Sequence, residues 1–103
     1  MKTIEWAAGL FEGEGCIVKS RPGRGPYLQM AMSDLDVVEM FKEAIGVDHK
    51  IHASQQRKQN KVMYTLRVGA KQDVIRILNL LLPHLGQRRA YKALNCLDEL
   101  ELN

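Results

Sequence analysis

Cysteine is nearly missing from this chain: Cys16 and Cys96 are the only two in 103 residues. They lie far apart, make no CxxC pair and have no histidine cluster beside them, which argues against a disulfide framework and a structural zinc site. Two reduced thiols in an intracellular protein are the expected state. His49, His52 and His84 share no ligand spacing and read as surface or structural side chains. No apolar run reaches the ~20 residues that a spanning helix needs, so no membrane partner is expected. The N-terminus shows no signal-peptide pattern. Acid is missing too, but only locally. Across residues 15–33 the charges are Lys19, Arg21 and Arg24, and across residues 49–72 they are Lys50, Arg57, Lys58, Lys61, Arg67 and Lys71, with no Asp or Glu in either segment. Residues 34–48 reverse this, with Asp34, Asp36, Glu39, Glu43 and Asp48 against Lys42 alone. The net charge of +3 therefore hides a segregated pattern, which implies one basic face. The length fits one domain over residues 1–103, with a modest core that would gain from dimerisation.

The most informative segment is Trp6-Ala7-Ala8-Gly9-Leu10-Phe11-Glu12-Gly13-Glu14-Gly15. A helix-compatible apolar run ends in two glutamates threaded between glycines. Carboxylates there face the negative end of the helix macrodipole, where cations are preferred. Glu12 and Glu14 thus repel the helix end and each other unless something positive sits beside them, and a divalent metal ion would resolve the conflict. Thr3 is the expected N-cap, with the helix running through about Gly13. Ile4, Ala7, Ala8 and Phe11 recur at helical spacing and make its apolar face.

Gly9 and Gly13 leave a stripe without side chains. A mid-helix glycine costs about 1 kcal/mol relative to alanine, and close approach of another backbone is the natural compensation. The chain holds no second copy of the motif, so the partner helix is expected from a second subunit, through Ala8, Gly9, Glu12 and Gly13. A two-fold contact would bring together two Glu14 carboxylates and two Gly13 carbonyls, hard oxygen ligands suited to Mg²⁺ or Ca²⁺. On spacing alone a plainer reading stays open: a capped core helix followed by a solvated acidic turn.

Residues 15–21 and 27–33 read as strands joined by a turn-rich Pro/Gly segment. In the second, Leu28, Met30 and Met32 alternate with Tyr27, Gln29 and Ala31. Ser33 or Asp34 then caps a helix whose stripe is Leu35, Val38, Phe41 and Ile45, ending near Gly46. A second hairpin follows, with its tip at residues 55–61, and its return strand separates Tyr64, Leu66 and Val68 from Met63, Thr65 and Arg67. Two helices, at about 72–82 and 86–101, are broken at Pro83, and Leu85, Ala90, Leu94, Leu97 and Leu100 line the last. The order αββαββαα is an α+β arrangement with helices on one sheet face.

The other face then carries Tyr27, Gln29, Lys50, His52, Ser54, Thr65 and Arg67. With the hairpin tips and the first strand, the expected DNA-binding set also includes Lys19, Ser20, Arg21, Arg24, Gln56, Arg57, Lys58 and Lys61. Polar side chains and cations on β-ribbons suit the major groove: arginine for guanine, glutamine for adenine, lysine-rich tips for phosphate. An ordinary solvated sheet face is the bland alternative, but such faces mix both signs of charge. Which row of the first strand faces outward is not decided by its pattern.

With these features in hand, the chain resembles the LAGLIDADG homing endonucleases, specifically the single-motif subclass that works as a homodimer. Residues 7–15 match the family signature and the element order agrees. So does Leu82-Pro83-His84-Leu85-Gly86-Gln87-Arg88-Arg89, where the family has a Pro, a hydrophobic residue and then a basic one. The resemblance implies a saddle-shaped antiparallel sheet and an intron- or intein-associated nuclease that cuts both strands of a pseudo-palindromic duplex. It implies Glu14 as catalytic metal ligand with the Gly13 carbonyl beside it, and Mg²⁺ as cofactor, with Mn²⁺ or Ca²⁺ substituting for binding. It places the catalytic basic residue at Arg88, with Arg89 as the alternative, and offers Ser33 as a candidate for the polar group near the active-site water. The chain departs from the pattern in having Glu at both acidic positions, Ala7 at the first motif position and Arg where Lys is usual.

A DNA-associated, intracellular, metal-dependent endonuclease is the first reading. A binding module that keeps the fold but not cleavage, an RNA splicing cofactor or DNA-binding regulator, is the second. Retention of Glu14 favours the nuclease, because an acid near phosphates weakens a pure binder. A structural dimerisation domain leaves the acid-free segments unexplained.

Overall fold

A computed structural model describes residues 1–56, 58 and 61–102. Thr3 starts the first helix, α1 (Ile4–Glu14), by accepting a hydrogen bond from the Trp6 backbone N–H at 3.1 Å. Ala7, Ala8 and Phe11 are buried, so the apolar face is the one that the spacing expects. Full burial of a side chain such as Phe11 contributes about 1.5–3 kcal/mol. Gly15 ends the helix with its N–H on the Phe11 carbonyl, and a Cβ at that position would collide with the Phe11 ring. Glycine is required there by that close approach.

The chain then forms β1 (Gly15–Val18) and β2 (Tyr27–Met32). The first strand is shorter than the expected 15–21. Ser20 turns away from the sheet to hydrogen-bond Glu99, and residues 21–24 close a tight turn in which Arg21 and Arg24 exchange backbone hydrogen bonds. Gly23 sits in the left-handed region at φ 78° within that turn. The second helix, α2 (Leu35–Ile45), buries Val38, Phe41 and Ile45 and stops at Gly46, which is left-handed at φ 71°. Asp34 is its cap residue, without a side-chain capping bond.

The second hairpin pairs β3 (His52–Gln56) with β4 (Lys61–Val68). All pairings are antiparallel and the sheet order is β1-β2-β4-β3. Leu28, Met30, Leu66 and Val68 point into one core with α1, α2 and α3 (Lys71–Leu81). Arg76 of α3 donates to the Ile45 and Gly46 carbonyls at 2.9 and 3.1 Å, satisfying the open end of α2. A short 3₁₀ turn at Leu82–His84 holds Pro83 and leads into α4 (Gln87–Leu102).

One face of α4 differs from expectation. Leu94 is 48% exposed, whereas Ala93, Cys96, Leu97 and Leu100 are buried. The inward stripe is therefore offset from the leucines, because Ala93 and Cys96 supply apolar surface too. Burial, and after it the Glu99 carboxylate, pushes the Cys96 thiol above its ordinary value. No helix among the described residues is long and apolar enough to cross a membrane.

Candidate nucleic-acid interface and cation site

At the end of α1 the two motif glutamates take different roles. Glu12 Oε1 accepts the Gly86 backbone N–H at 2.5 Å, and its Oε2 accepts Arg89 Nε at 3.3 Å. The terminal Nη1 of Arg89 donates to the Gly15 carbonyl at 2.5 Å, and the guanidinium lies 5.7 Å from the Phe11 ring centre. Glu12 thereby caps the start of α4, and Arg89 supplies positive charge where the α1 macrodipole needs it. The Gly86 N–H is the largest influence holding the Glu12 carboxyl below its ordinary value, and Arg89 adds to it by hydrogen bond and charge against a desolvation cost. The electrostatic conflict at Glu12 is thus settled within the chain.

Glu14 is left over. It is exposed, ends α1, and bonds to none of the described residues. Gly13 is exposed in the same last turn, where helix carbonyls have no intrahelical donor. A carboxylate and a backbone carbonyl are hard oxygen donors that fit Mg²⁺ or Ca²⁺. No group of three or more His, Cys, Asp or Glu side chains that could hold a metal occurs among the described residues, so the shell of a cation at Glu14 would be completed by backbone, water, a second chain or a substrate.

Arg88 and Arg89 separate as clearly. Arg89 is committed to the latch, with its side chain only 15% exposed. Arg88 is exposed, makes no hydrogen bond to a described residue, and acts on Glu12 through its charge alone. Its guanidinium remains available to a ligand. The latch itself escaped sequence reasoning, since Glu12 and Gly86 are 74 positions apart.

One interface expectation requires correction: Ala8 has no exposed surface, because it faces the chain's own core. Glu12 is bonded to Gly86 and Arg89 but keeps its side chain 37% exposed. The open stripe consists of Gly9 and Gly13, where an added Cβ would meet nothing within 4 Å.

On the sheet, the register resolves which side chains share the uncovered face. Cys16, Gln29 and Arg67 lie in one row, and Ala31, Thr65 and His52 in another. Val18 stands beside Tyr27, and Ser54 beside Met63. Ile17 points into the core, so Cys16 and Val18 belong to the outward row of β1. Tyr27, Gln29, His52, Ser54, Thr65 and Arg67 therefore come together, and no acid joins them among the described residues. Arg67 Nε donates to Gln29 Oε1 at 3.0 Å, and its guanidinium lies 5.8 Å from the Tyr27 ring centre.

The flanks are less uniform. Arg21, Arg24, Lys58 and Lys61 are exposed in or beside the turns. Gln56 pairs with Lys61 at the end of the hairpin, and Arg57 lies outside the described residues. Lys19 and Ser20 are not on the open face: they line a cleft of about 350 Å³ against α4, with Lys92, Asn95 and Glu99. Lys50 precedes β3 and lines a cleft of about 670 Å³ under α2 with Glu39 and Glu43. These three belong to the helical side because the chain leaves the sheet at both places. His84 lies 3.8 Å from Glu5, away from the sheet. Ser33 is exposed just after β2.

Comparisons with known proteins agree with this architecture. The family model described as a LAGLIDADG-like domain matches residues 4–81. No curated protein matches by sequence. Among solved structures, the homing endonuclease I-CvuI, in complex with its target in the presence of 2 mM Ca, superposes with a TM-score of 0.68 at 17% identity. The LAGLIDADG meganuclease I-AabMI, bound to uncleaved DNA, gives 0.73 at 22% identity. In both cases 95% of this chain is covered, against 65% of I-CvuI and 36% of I-AabMI. The archaeal intron-encoded homing endonuclease I-Vdi141I, complexed with DNA, gives 0.56 at 18% identity, covering 79% of this chain and 54% of its own. The fold is shared; this chain spans less than two thirds of each.

Proposed function

We propose, from the premise that this chain belongs to the LAGLIDADG-like domain family, that it is a site-specific endonuclease of double-stranded DNA. It would act as a homodimer with a divalent cation, Mg²⁺ by preference, on a pseudo-palindromic site. Residues 1–103 serve as one endonuclease unit. The observation that carries this reading is the division between the two motif glutamates. Glu12 is consumed by its bonds to Gly86 and Arg89, while Glu14 is left exposed at the helix end with no partner among the described residues. An exposed acid at the start of β1, whose sheet carries an acid-free face among the described residues, works against phosphate binding unless a cation occupies it.

A divalent cation held there would supply charge stabilisation at the scissile phosphate and activate water. Glu14 and the Gly13 carbonyl are the residues of this chain that would hold it. Arg89 fixes where they stand, by gripping the motif on both sides of Glu14 through Glu12 and Gly15. Arg88 places a permanent guanidinium near the same helix end, suited to stabilise charge that develops on a phosphate. The sheet face orients the duplex, and Lys58, Lys61, Arg21 and Arg24 contact its backbone. Packing of the Gly9–Gly13 stripe against a second copy would bring two such helix ends together, one for each strand.

The test is cleavage of a pool of randomised palindromic duplexes by the purified chain, with Mg²⁺ and with EDTA. Metal-dependent enrichment of one cut site supports the nuclease. Retention of duplexes with no cutting in Mg²⁺, Mn²⁺ or Ca²⁺ would instead make it a binding module.

A further inference from the structure

We propose that Arg67, braced by Gln29 and Tyr27, reads one guanine in each half of the duplex site, and that Gln29 serves that contact rather than reading a base of its own. This rests on the duplex-binding reading above and deepens it. β2 and β4 are the two central strands, and Gln29 and Arg67 are direct cross-strand partners on the open face. That places the pair near the middle of the face, away from the tips that reach for phosphate. The Arg67 Nε–H is already bonded to Gln29 Oε1 at 3.0 Å, with the Tyr27 ring 5.8 Å from the guanidinium carbon. Both contacts restrain a side chain that otherwise loses much rotamer freedom on binding.

The donor inventory then sets the specificity. Arginine has five N–H donors and no acceptor; with Nε engaged, the forked end keeps the four on its two terminal nitrogens. In the major groove guanine shows two adjacent acceptors, O6 and N7, which that fork matches. Adenine shows N7 beside an amino donor, so the fork meets one acceptor and one repelling donor. Cytosine shows an amino donor. Gln29 changes role for the same reason. Its bidentate contact to adenine uses the amide oxygen as acceptor, and that oxygen is the one Arg67 engages. With one lone pair of Oε1 held by Arg67, Gln29 offers outward chiefly its amide N–H₂, so the pair presents mainly donors.

The experiment is a selection of bound duplexes from a pool randomised across the site, with Ca²⁺ in place of Mg²⁺ to support binding. The purified chain is compared with Arg67→Lys and Gln29→Ala. Both positions lie on the sheet surface, and equal melting temperatures confirm that both variants fold. The native chain should select guanine at one position per half-site, by a factor on the order of ten- to a hundredfold. Arg67→Lys keeps the charge but not the fork, so it should flatten that position and lower affinity for guanine-bearing duplexes by a similar factor, while the slope of affinity against salt, which reads phosphate contacts, stays the same. Gln29→Ala should weaken the same position and no other. If Arg67→Lys leaves every position unchanged while duplexes are retained, the guanine assignment is wrong and duplex binding stands. If Gln29→Ala instead erases a separate adenine preference, the coupling is wrong. A chain that retains no duplex at all overturns this inference together with the reading beneath it.

Discussion

Arg88 and Arg89 are sequence neighbours that the fold treats differently, and the reason is helix phase. The buried positions Ala93, Cys96, Leu97 and Leu100 define the inner face of α4. Arg89 is one turn before Ala93 and so lies on that side, whereas Arg88 is rotated towards solvent. The expected stripe of Leu85, Ala90, Leu94, Leu97 and Leu100 put Leu94 inside and hid this phase; counting Cys96 as a small apolar residue would have revealed it. Arg89→Ala should leave the Gly15 carbonyl and the Glu12 carboxylate without their cation. A lost hydrogen bond between a charged donor and that carbonyl alone costs on the order of 2 kcal/mol, readable as a lower melting temperature. Glu12 has a pH signature. Its folded-state carboxyl is held below its ordinary value, so the stability it contributes is present at neutral pH and lost as pH falls below about 4.3 and through the folded value. Glu12→Gln should therefore flatten the acid side of the stability profile. The thiols offer a third check. A maleimide should label exposed Cys16 in the native protein and leave buried Cys96 untouched until unfolding. Because Cys16 shares the row of Gln29 and Arg67, the label should also block duplex binding.

At the scale of elements, most boundaries were legible because local chemistry and tertiary packing agree. Thr3 caps α1 as its side chain allows, Pro83 falls in the break between α3 and α4, and period-two alternation in β2 and β4 matches the buried rows. Gly46 is the left-handed residue that ends α2. Gly46→Ala should cost about 1–2 kcal/mol from the left-handed backbone, a drop of several degrees in melting temperature for a domain of this size. The first hairpin was less legible. Strand β1 stops after Val18 because Ser20 finds Glu99 on α4, a partner 79 positions away that no local pattern announces. The same blindness covers the Glu12–Gly86 bond. Electrostatic frustration at the end of α1 was visible in the sequence, but its solution for Glu12 was an arginine from the far end of the chain.

Across the whole molecule, charge is sorted by layer. The acids of residues 34–48 lie on and around α2, on the helical side, while the opposite sheet face carries cations and amides without acid among the described residues. A duplex bound there should release counterions from several phosphates. Affinity should then fall steeply with salt, and each of Lys58→Ala and Lys61→Ala should reduce the slope by about one. An affinity independent of salt would argue against the basic face as the binding surface.

The central claim is that the two glutamates of one motif divide structure from chemistry. The most direct test is the Mg²⁺-dependent cleavage rate of Glu14→Gln, read beside its melting temperature and duplex affinity. Its melting temperature should equal that of the native chain, its affinity should be unchanged or higher, and its cleavage should be lower by at least about a hundredfold. A Glu14→Gln protein that cuts at the native rate, or one that loses cutting only because it no longer folds, would contradict the claim.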